Sequence, residues 1–276
     1  MGMTVNGQPL ARDMVWNVRI LGERLGTAGR RGGNLEANQI DGTGWRPDKP
    51  LAELLVTLSM WLSGADPDGE FPADPLMRSR MRKRLDRLLL LFGQQETLAE
   101  LVDTETQRRC YAEVSQPLLP QTMAAGARAE VQFPLTIPAG CWEDVAEFDT
   151  GDQVLTAATN LPVPSAGSNL PTVGLRIDIT PPARNVRIET AQGRWIEING
   201  DLPAGAPLRV DLNPWDPQAY QTSAPGVSLL AAVVIPDVVA LPLPAAAVNP
   251  VLSVTAEATS AASRIRVRGR RRWQTA

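Results

Sequence analysis

Histidine is absent from the 276 residues. That absence removes the commonest general base, the commonest metal ligand and the ordinary pH switch. A Ser-His-Asp triad and a Cys-His dyad are excluded outright. Cysteine is nearly absent, with Cys110 and Cys141 the two thiols. Two thiols cannot complete a tetrahedral zinc site, and a chain this long has no need of a disulfide scaffold. Both are expected to be small buried side chains. Lysine is almost missing as well: of 27 basic residues only Lys49 and Lys83 are not arginine. No long apolar run is uninterrupted. The most apolar stretch, 227–248, is broken by Pro236, Asp237, Pro242 and Pro244, and such a segment cannot span a bilayer. The first residues, MGMTVNGQPLARDM, carry no apolar signal core, and Asn6 stands where myristoylation wants Ser or Thr. The expectation is a soluble protein made without export.

What is present fits a globular chain. Apolar content of 43% and charged content of 21% are ordinary, so real cores can form. At roughly 150 residues per domain the length suggests two domains. A net charge of −3 argues against a nucleic-acid binder.

The stretch 12–64 holds two strand-like segments around a long loop. Residues 14–22 read as a strand, and Gly22, Gly26, Gly29, Gly32 and Gly33 follow. No Gly-Lys-Ser/Thr follows them, so this is no phosphate loop. A loop this long is either functional or ordered by a neighbour. In 54–63, Leu54, Val56, Leu58, Met60 and Leu62 alternate with Leu55, Thr57, Ser59, Trp61 and Ser63. Period two with one apolar face predicts a half-buried antiparallel strand. Asp66, Asp68 and Glu70 lack the further ligands of a calcium loop and read as a solvated acidic turn.

Asp74-Pro75 opens the clearest helix, over 75–92. Asp suits the cap and Pro the first helical position. Met77, Met81, Leu85, Leu88 and Phe92 recur at helical spacing, Arg78, Arg82, Lys83, Arg84 and Arg87 fill the outer face, and Gly93 stops the helix. That basic face reads as solvated or as an interface to an acidic neighbour, with nucleic acid and membrane as the other options. Residues 107–114 and 129–137 read as strands. The Pro/Ala/Gly connection between them places a domain boundary near 123–128, dividing the chain into 1–127 and 128–276.

The second half reads as all-β. Strand-like runs fall at 130–137, 142–148, 174–179, 185–190, 195–198, 207–211, 227–234, 239–243, 250–257 and 264–268. The segment 189–199 is a hairpin turning at Gln192-Gly193. The pattern predicts an antiparallel jelly roll of two sheets. Jelly rolls often bind sugars, so Trp195 and Trp215, with Asn199 and Arg194, are candidate glycan contacts; core packing is the competing role. The end, RIRVRGRRRW, predicts a strand with an arginine face turned to water or to another subunit. The carboxylate pairs Asp149/Asp152, Glu143/Asp144 and Asp211/Asp216 are near in sequence, and nothing marks one as a hydrolase pair. No catalytic, cofactor or metal site is expected.

Four segments carry a resemblance: RLGTAGRRGGNLEANQIDGTGWRPDKPLAELLVTLSMWLSG, DPLMRSRMRKRLDRLLLLFG, FPLTIPAGCWED and NPVLSVTAEATSAASRIRVRGRRRW. In this order they resemble the distal tail proteins of long-tailed, non-contractile bacteriophages. The resemblance implies a virion structural protein at the tail tip, made in the bacterial host cytoplasm. It implies a hexameric ring joining the tail tube to adsorption proteins, with DNA passing through the lumen unbound. It implies an N-terminal β-barrel-like domain with one helix, then a galectin-like jelly roll. The length leaves no room for an inserted carbohydrate module. A ring subunit needs loops that order against its neighbours, and residues 22–44 fit. Gly26, Gly33 and Gly44 allow close approach; Arg24, Arg30, Arg31 and Arg46, with Asn34, supply cross-subunit pairing. An acidic protein also suits a DNA conduit, since a basic lumen would grip phosphates.

Overall fold

The computed structural model describes residues 2–10, 16–21, 35–36, 43–44, 53–65, 74–92, 98–114, 121–123, 128–202, 205–213, 216–236 and 241–274. The chain divides into two compact units, Met1–Val145 with Gln274–Ala276, and Ala146–Trp273.

In the first unit, strands β1 (Met3–Val5), β2 (Gln8–Pro9), β3 (Trp16–Leu21), β4 (Leu35–Glu36), β5 (Thr43–Gly44) and β6 (Leu54–Ser63) precede the helix α1 (Asp74–Phe92). Strands β7 (Ala99–Asp103), β8 (Arg108–Val114), β9 (Gln121–Met123), β10 (Arg128–Ile137) and β11 (Trp142–Asp144) follow it. The strands form an antiparallel sheet in the order β2-β1-β7-β8-β10-β6-β3, with β9 on β10 and β11 on β8. β4 and β5 pair separately.

The alternation read in β6 is real. Leu54, Val56, Leu58, Met60 and Leu62 are buried, while Leu55 and Trp61 are exposed. All ten residues of β6 pair with β10, whose Ala129, Val131, Phe133, Leu135 and Ile137 are buried in the same phase. The helix covers this apolar face, since its own buried side chains Met81, Leu88 and Phe92 recur at helical spacing. Phe92 stacks on Phe133 with centroids 4.2 Å apart. Burial of each such side chain contributes about 1.5–3 kcal/mol. Gly64, just after β6, lets the helix close in: an added Cβ would lie 2.3 Å from the Met77 carbonyl oxygen. The Arg84 guanidinium donates to the Ser63 carbonyl beside it.

Two turns fix the rest of this sheet. Asn6 and Gly7, with φ of 48° and 74°, join β1 to β2 as the two-residue turn that Asn-Gly favours. The buried carboxylate of Asp103 accepts from the amides of Glu105 and Thr106 at 2.9 and 3.4 Å, closing the β7–β8 hairpin. The division expected at 127/128 falls ahead of β10, yet β10 pairs along its length with β6, and the units divide after Val145. A Pro/Ala/Gly stretch marks a connection but says nothing of which strands pair across it.

The second unit is a β-sandwich. Its strands are β12 (Phe148–Asp149), β13 (Gln153–Val154), β14 (Ala158–Pro162), β15 (Arg176–Thr180), β16 (Arg184–Thr190) and β17 (Trp195–Asp201). Then come β18 (Leu208–Asp211), β19 (Gln218–Gln221), β20 (Val233–Val234), β21 (Val251–Glu257) and β22 (Arg264–Gly269); the short β23 (Arg272–Trp273) follows, outside both sheets of the sandwich. One sheet runs β12-β22-β15-β18-β19, with β13 also on β22; the other runs β14-β21-β16-β17-β20. Ile177, Ile179, Val210, Ile265 and Val267 of the first sheet and Val186, Ile188, Ile196, Ile198, Leu252 and Val254 of the second share one core. The hairpin turns where the sequence places it. Gly193 has φ of 76°, Thr190 and Arg194 bond across the turn, and Glu189 pairs with Trp195.

One expected strand differs. Residues 227–234 hold a 3-10 turn at Leu230–Ala232 and the two-residue β20. Their apolar residues do not alternate with polar ones, and the Leu229 amide bonds the Ala219 carbonyl at 2.6 Å instead of extending a ladder. Of the run expected at 239–243, residues 239–240 fall outside the described residues, and Leu243 bridges to Thr172.

Candidate functional site

Of the candidate interface loop, Gly44 lies in β5, its backbone paired with Leu35. Arg24, Gly26, Arg30, Arg31, Gly33, Asn34 and Arg46 lie outside the described residues, as does Trp215.

Trp195 stands at the start of β17 on the outer face of its sheet, half-buried, with Ile196 and Ile198 turned into the core. The Arg187 guanidinium lies over its ring, 4.2 Å from the centroid. Arg187 in turn donates to Glu189 at 3.1–3.2 Å and faces Glu197 at 3.8 Å. One ring face is thus taken by a cation held between two carboxylates, an arrangement that cation–π attraction favours. Arg194 donates its amide to the Thr190 hydroxyl at 3.2 Å, and Asn199 is exposed.

The arginine face of β22 is matched by carboxylates. Arg266 donates to Asp149 through Nε, at 2.9 and 3.0 Å, and through Nη2. Arg268 donates to Asp178. On the other side of Asp178, Arg209 makes a forked contact, Nε to Oδ1 at 2.7 Å and Nη2 to Oδ2 at 3.1 Å. Glu147 receives Arg176 at 2.5 Å and Arg270 at 3.2 Å. Alternation explains the geometry. Even positions of β15 and β22 point outward, and strand register sets Asp178 opposite both Arg209 and Arg266. Opposite charges facing across a sheet stabilise it.

The charges answer one another. The hydrogen bond from Arg266 holds the Asp149 carboxyl down to about 2, helped by the Gly151 amide. Burial pushes Asp178 upward, but the hydrogen bonds and charges of Arg209 and Arg268 outweigh it and the carboxyl lies below its usual range. Arg209 is raised by its bond to Asp178. The expectation that this arginine face meets water or another subunit is therefore modified: its principal partners are carboxylates of its own sheet.

Two other carboxylates singled out in the sequence, Asp211 and Asp216, have local roles. Asp211 accepts from the Asn213 amide at 3.0 Å, and Asp216 accepts from the Gln218 side chain at 2.6 Å. Among the described residues no three metal-ligating side chains come together, and no helix is long and apolar enough to cross a membrane. Cys110 and Cys141 are buried and form no disulfide; burial, then the charges of Cys141 and Glu143, raise the Cys110 thiol well above its usual value. Sequence reading missed Asp178, Glu147 and Arg209. Their signal is cross-strand rather than local: R-I-D-I-T and L-R-V-D each place a charge in the outward series, but only the register joins them.

No protein-family model and no curated protein matches the chain. Among solved structures, the crystal structure of the Dit protein of phage SPP1 is similar over 98% of both chains, at TM-score 0.60 and 15% identity. That protein is described as a paradigm of the hub adsorption apparatus in phages infecting Gram-positive bacteria. A chain in the phage P2 baseplate, in its activated conformation with calcium, aligns over 100% of this chain and 99% of that one, at TM-score 0.49 and 6% identity. The chain has a mostly β, sandwich-containing fold similar to that of the SPP1 hub protein.

Proposed function

We propose that this chain is a structural protein of a phage tail tip, a ring-forming hub that joins the tail tube to the adsorption apparatus around the DNA channel. The observation that carries the reading is end-to-end likeness: the match to the SPP1 hub protein covers 98% of this chain and 98% of that one, and so takes in both units of this chain. The role is mechanical and needs no catalysis. The carboxylates described above are consistent with it, since they are engaged in ion pairs and turns. On this reading the partners are identical subunits, six to a ring, with the tube protein above and adsorption proteins below. The site of action is the virion, and the second unit is a galectin-like jelly roll.

The test is the mass and symmetry of the purified full chain, by light scattering and by electron-microscopic class averages. A closed six-fold ring is the expected result. A monomer at every concentration, with the neighbouring tail protein present, would overturn the reading.

Glycan recognition by the second unit is the alternative, favoured by one observation: the half-exposed Trp195 stands among polar side chains on an outward sheet face. A glycan-array signal lost in Trp195→Ala would support it, and a flat array would remove it.

A further inference from the structure

The helix α1 has two faces with different roles. Met81, Leu88 and Phe92 are buried in the core of the first unit. The opposite face carries Leu76, Ser79, Arg82, Lys83, Asp86, Arg87 and Leu90, all exposed. Leu76 and Leu90 are 55% and 74% exposed, and between them run Arg82, Lys83 and Arg87. An open depression of about 570 Å³ is lined by Pro75, Arg78, Ser79, Arg82, Lys83 and Asp86. The stretch is strongly unlike the rest of the molecule. Its 19 residues hold six basic and two acidic side chains, a net +4. In a chain of net −3 that leaves −7 on the other 257 residues.

We propose that this outer face of α1 is a docking surface for the acidic surface of a second copy of the chain. The inference rests on the hub reading and names one contact within it. Charge complementarity is the argument: the opposite charge that the helix lacks is carried by every other copy. In a cyclic ring each contact is head-to-tail, so the helix of one copy meets a different surface of the next, and self-complementarity is not required. The exposed leucines at the two ends give the patch apolar anchors, and the cations between them set register and encounter rate.

The other anionic partners fit less well. Nucleic acid favours many phosphate contacts and stacking aromatics, whereas this face sets the anionic Asp86 beside its few cations and carries no aromatic ring. A membrane surface needs a broad apolar face to insert, and the apolar face of α1 is already spent on the core.

The experiment uses the full chain and two variants, Arg82→Gln/Lys83→Gln/Arg87→Gln and Arg82→Glu/Lys83→Glu/Arg87→Glu. Glutamine and glutamate are good helix formers, so the helix is kept; circular dichroism and the melting curve check this, and the glutamine variant decides if the glutamate one fails to fold. Native mass is measured by light scattering across concentration, at about 50 mM and about 500 mM salt. The expected result is an oligomer that weakens with salt, with association roughly tenfold weaker in the glutamine variant and weaker still in the glutamate variant. Assembly of both variants indistinguishable from the parent overturns the inference and leaves the hub reading standing. A parent chain that is monomeric at every concentration, even with the neighbouring tail protein present, overturns both. Unchanged assembly, with binding to duplex DNA or to anionic phosphatidylserine vesicles lost in the variants, overturns the inference in favour of the partner so bound.

Discussion

Asp178 and Arg209 face each other across two antiparallel strands and meet in a forked contact of 2.7 and 3.1 Å. Their side chains are 12% and 26% exposed, and Arg268, 18% exposed, closes on the same carboxylate from the other neighbouring strand. The carboxylate therefore holds three strands of one sheet together. Removing it strands two half-buried guanidinium groups, whereas removing one arginine leaves the other still paired. Asp178→Ala is expected to destabilise the second unit by about 2 kcal/mol, between the values for exposed and buried pairs, and Arg209→Ala by less. Urea unfolding of the two variants checks the order. Equal losses, or no loss in Asp178→Ala, would contradict it.

The same ion pairs set an acid limit. Asp149 is held down to about 2 by its hydrogen bond from Arg266, and Asp178 is lowered against its own burial by Arg209 and Arg268. Both carboxyls are more acidic folded than unfolded, where Asp titrates near 3.9. Their stabilisation is complete above that unfolded value and is lost as pH falls through the folded one. Stability should hold down to about pH 5 and then decline between about 4 and 2. The Asp149 share is screened by solvent and should shrink in high salt. Melting curves against pH for the parent and Asp149→Asn are the check; the variant should lose part of the slope.

Local patterns carried much of the fold. The alternation of Leu54 to Leu62, the Asp74-Pro75 start of α1 and the Gln192-Gly193 turn each rest on neighbours in sequence, and all three appear as read. Pairing across distance was not legible. The division at 127/128 separated β10 from β6 because nothing local announces that Phe133 pairs with Leu58. The ion pair of Asp178 with Arg209, 31 residues apart, was hidden for the same reason. From sequence the arginines of β22 face water or another subunit, because the carboxylates that meet them lie on other strands. By contrast the Asn6-Gly7 hairpin is a purely local signal, legible from the dipeptide alone.

Glycines in two settings should respond oppositely to alanine. At Gly64 an added Cβ meets the Met77 carbonyl oxygen at 2.3 Å and its carbon at 2.9 Å, both helix backbone. Gly64→Ala must push α1 away from β6 and is expected to cost about 2 kcal/mol or more. At Gly226 nothing lies within 4 Å and the backbone is in an ordinary region, so Gly226→Ala should be neutral or slightly stabilising, within about 0.5 kcal/mol. Thermal melts of the two variants separate the cases, and a neutral Gly64→Ala would contradict the packing described.

Cys110 offers a reporter for the first unit. Its thiol is 3% exposed on β8, next to β10, and burial raises it well above its usual value. The thiolate is the reactive form, so labelling in the folded state must wait for an opening that exposes the thiol and restores its ordinary acidity. The opening is opposed by the core that Phe133 completes: that ring is fully buried and stacked on Phe92. Phe133→Ala removes the stack and leaves a cavity, a change that costs about 3–5 kcal/mol in comparable cores. When opening is fast relative to labelling, the rate follows the open population, so the variant should label about 100-fold faster or more at the same pH. Phe133→Leu keeps most of the volume and should fall well short of that acceleration. Mass-resolved labelling of the two variants at neutral pH, with Cys141→Ala to isolate the signal of Cys110, makes the comparison. Equal rates in the parent and Phe133→Ala would show that Cys110 is reached by local fraying of β8 rather than by opening of the core behind it.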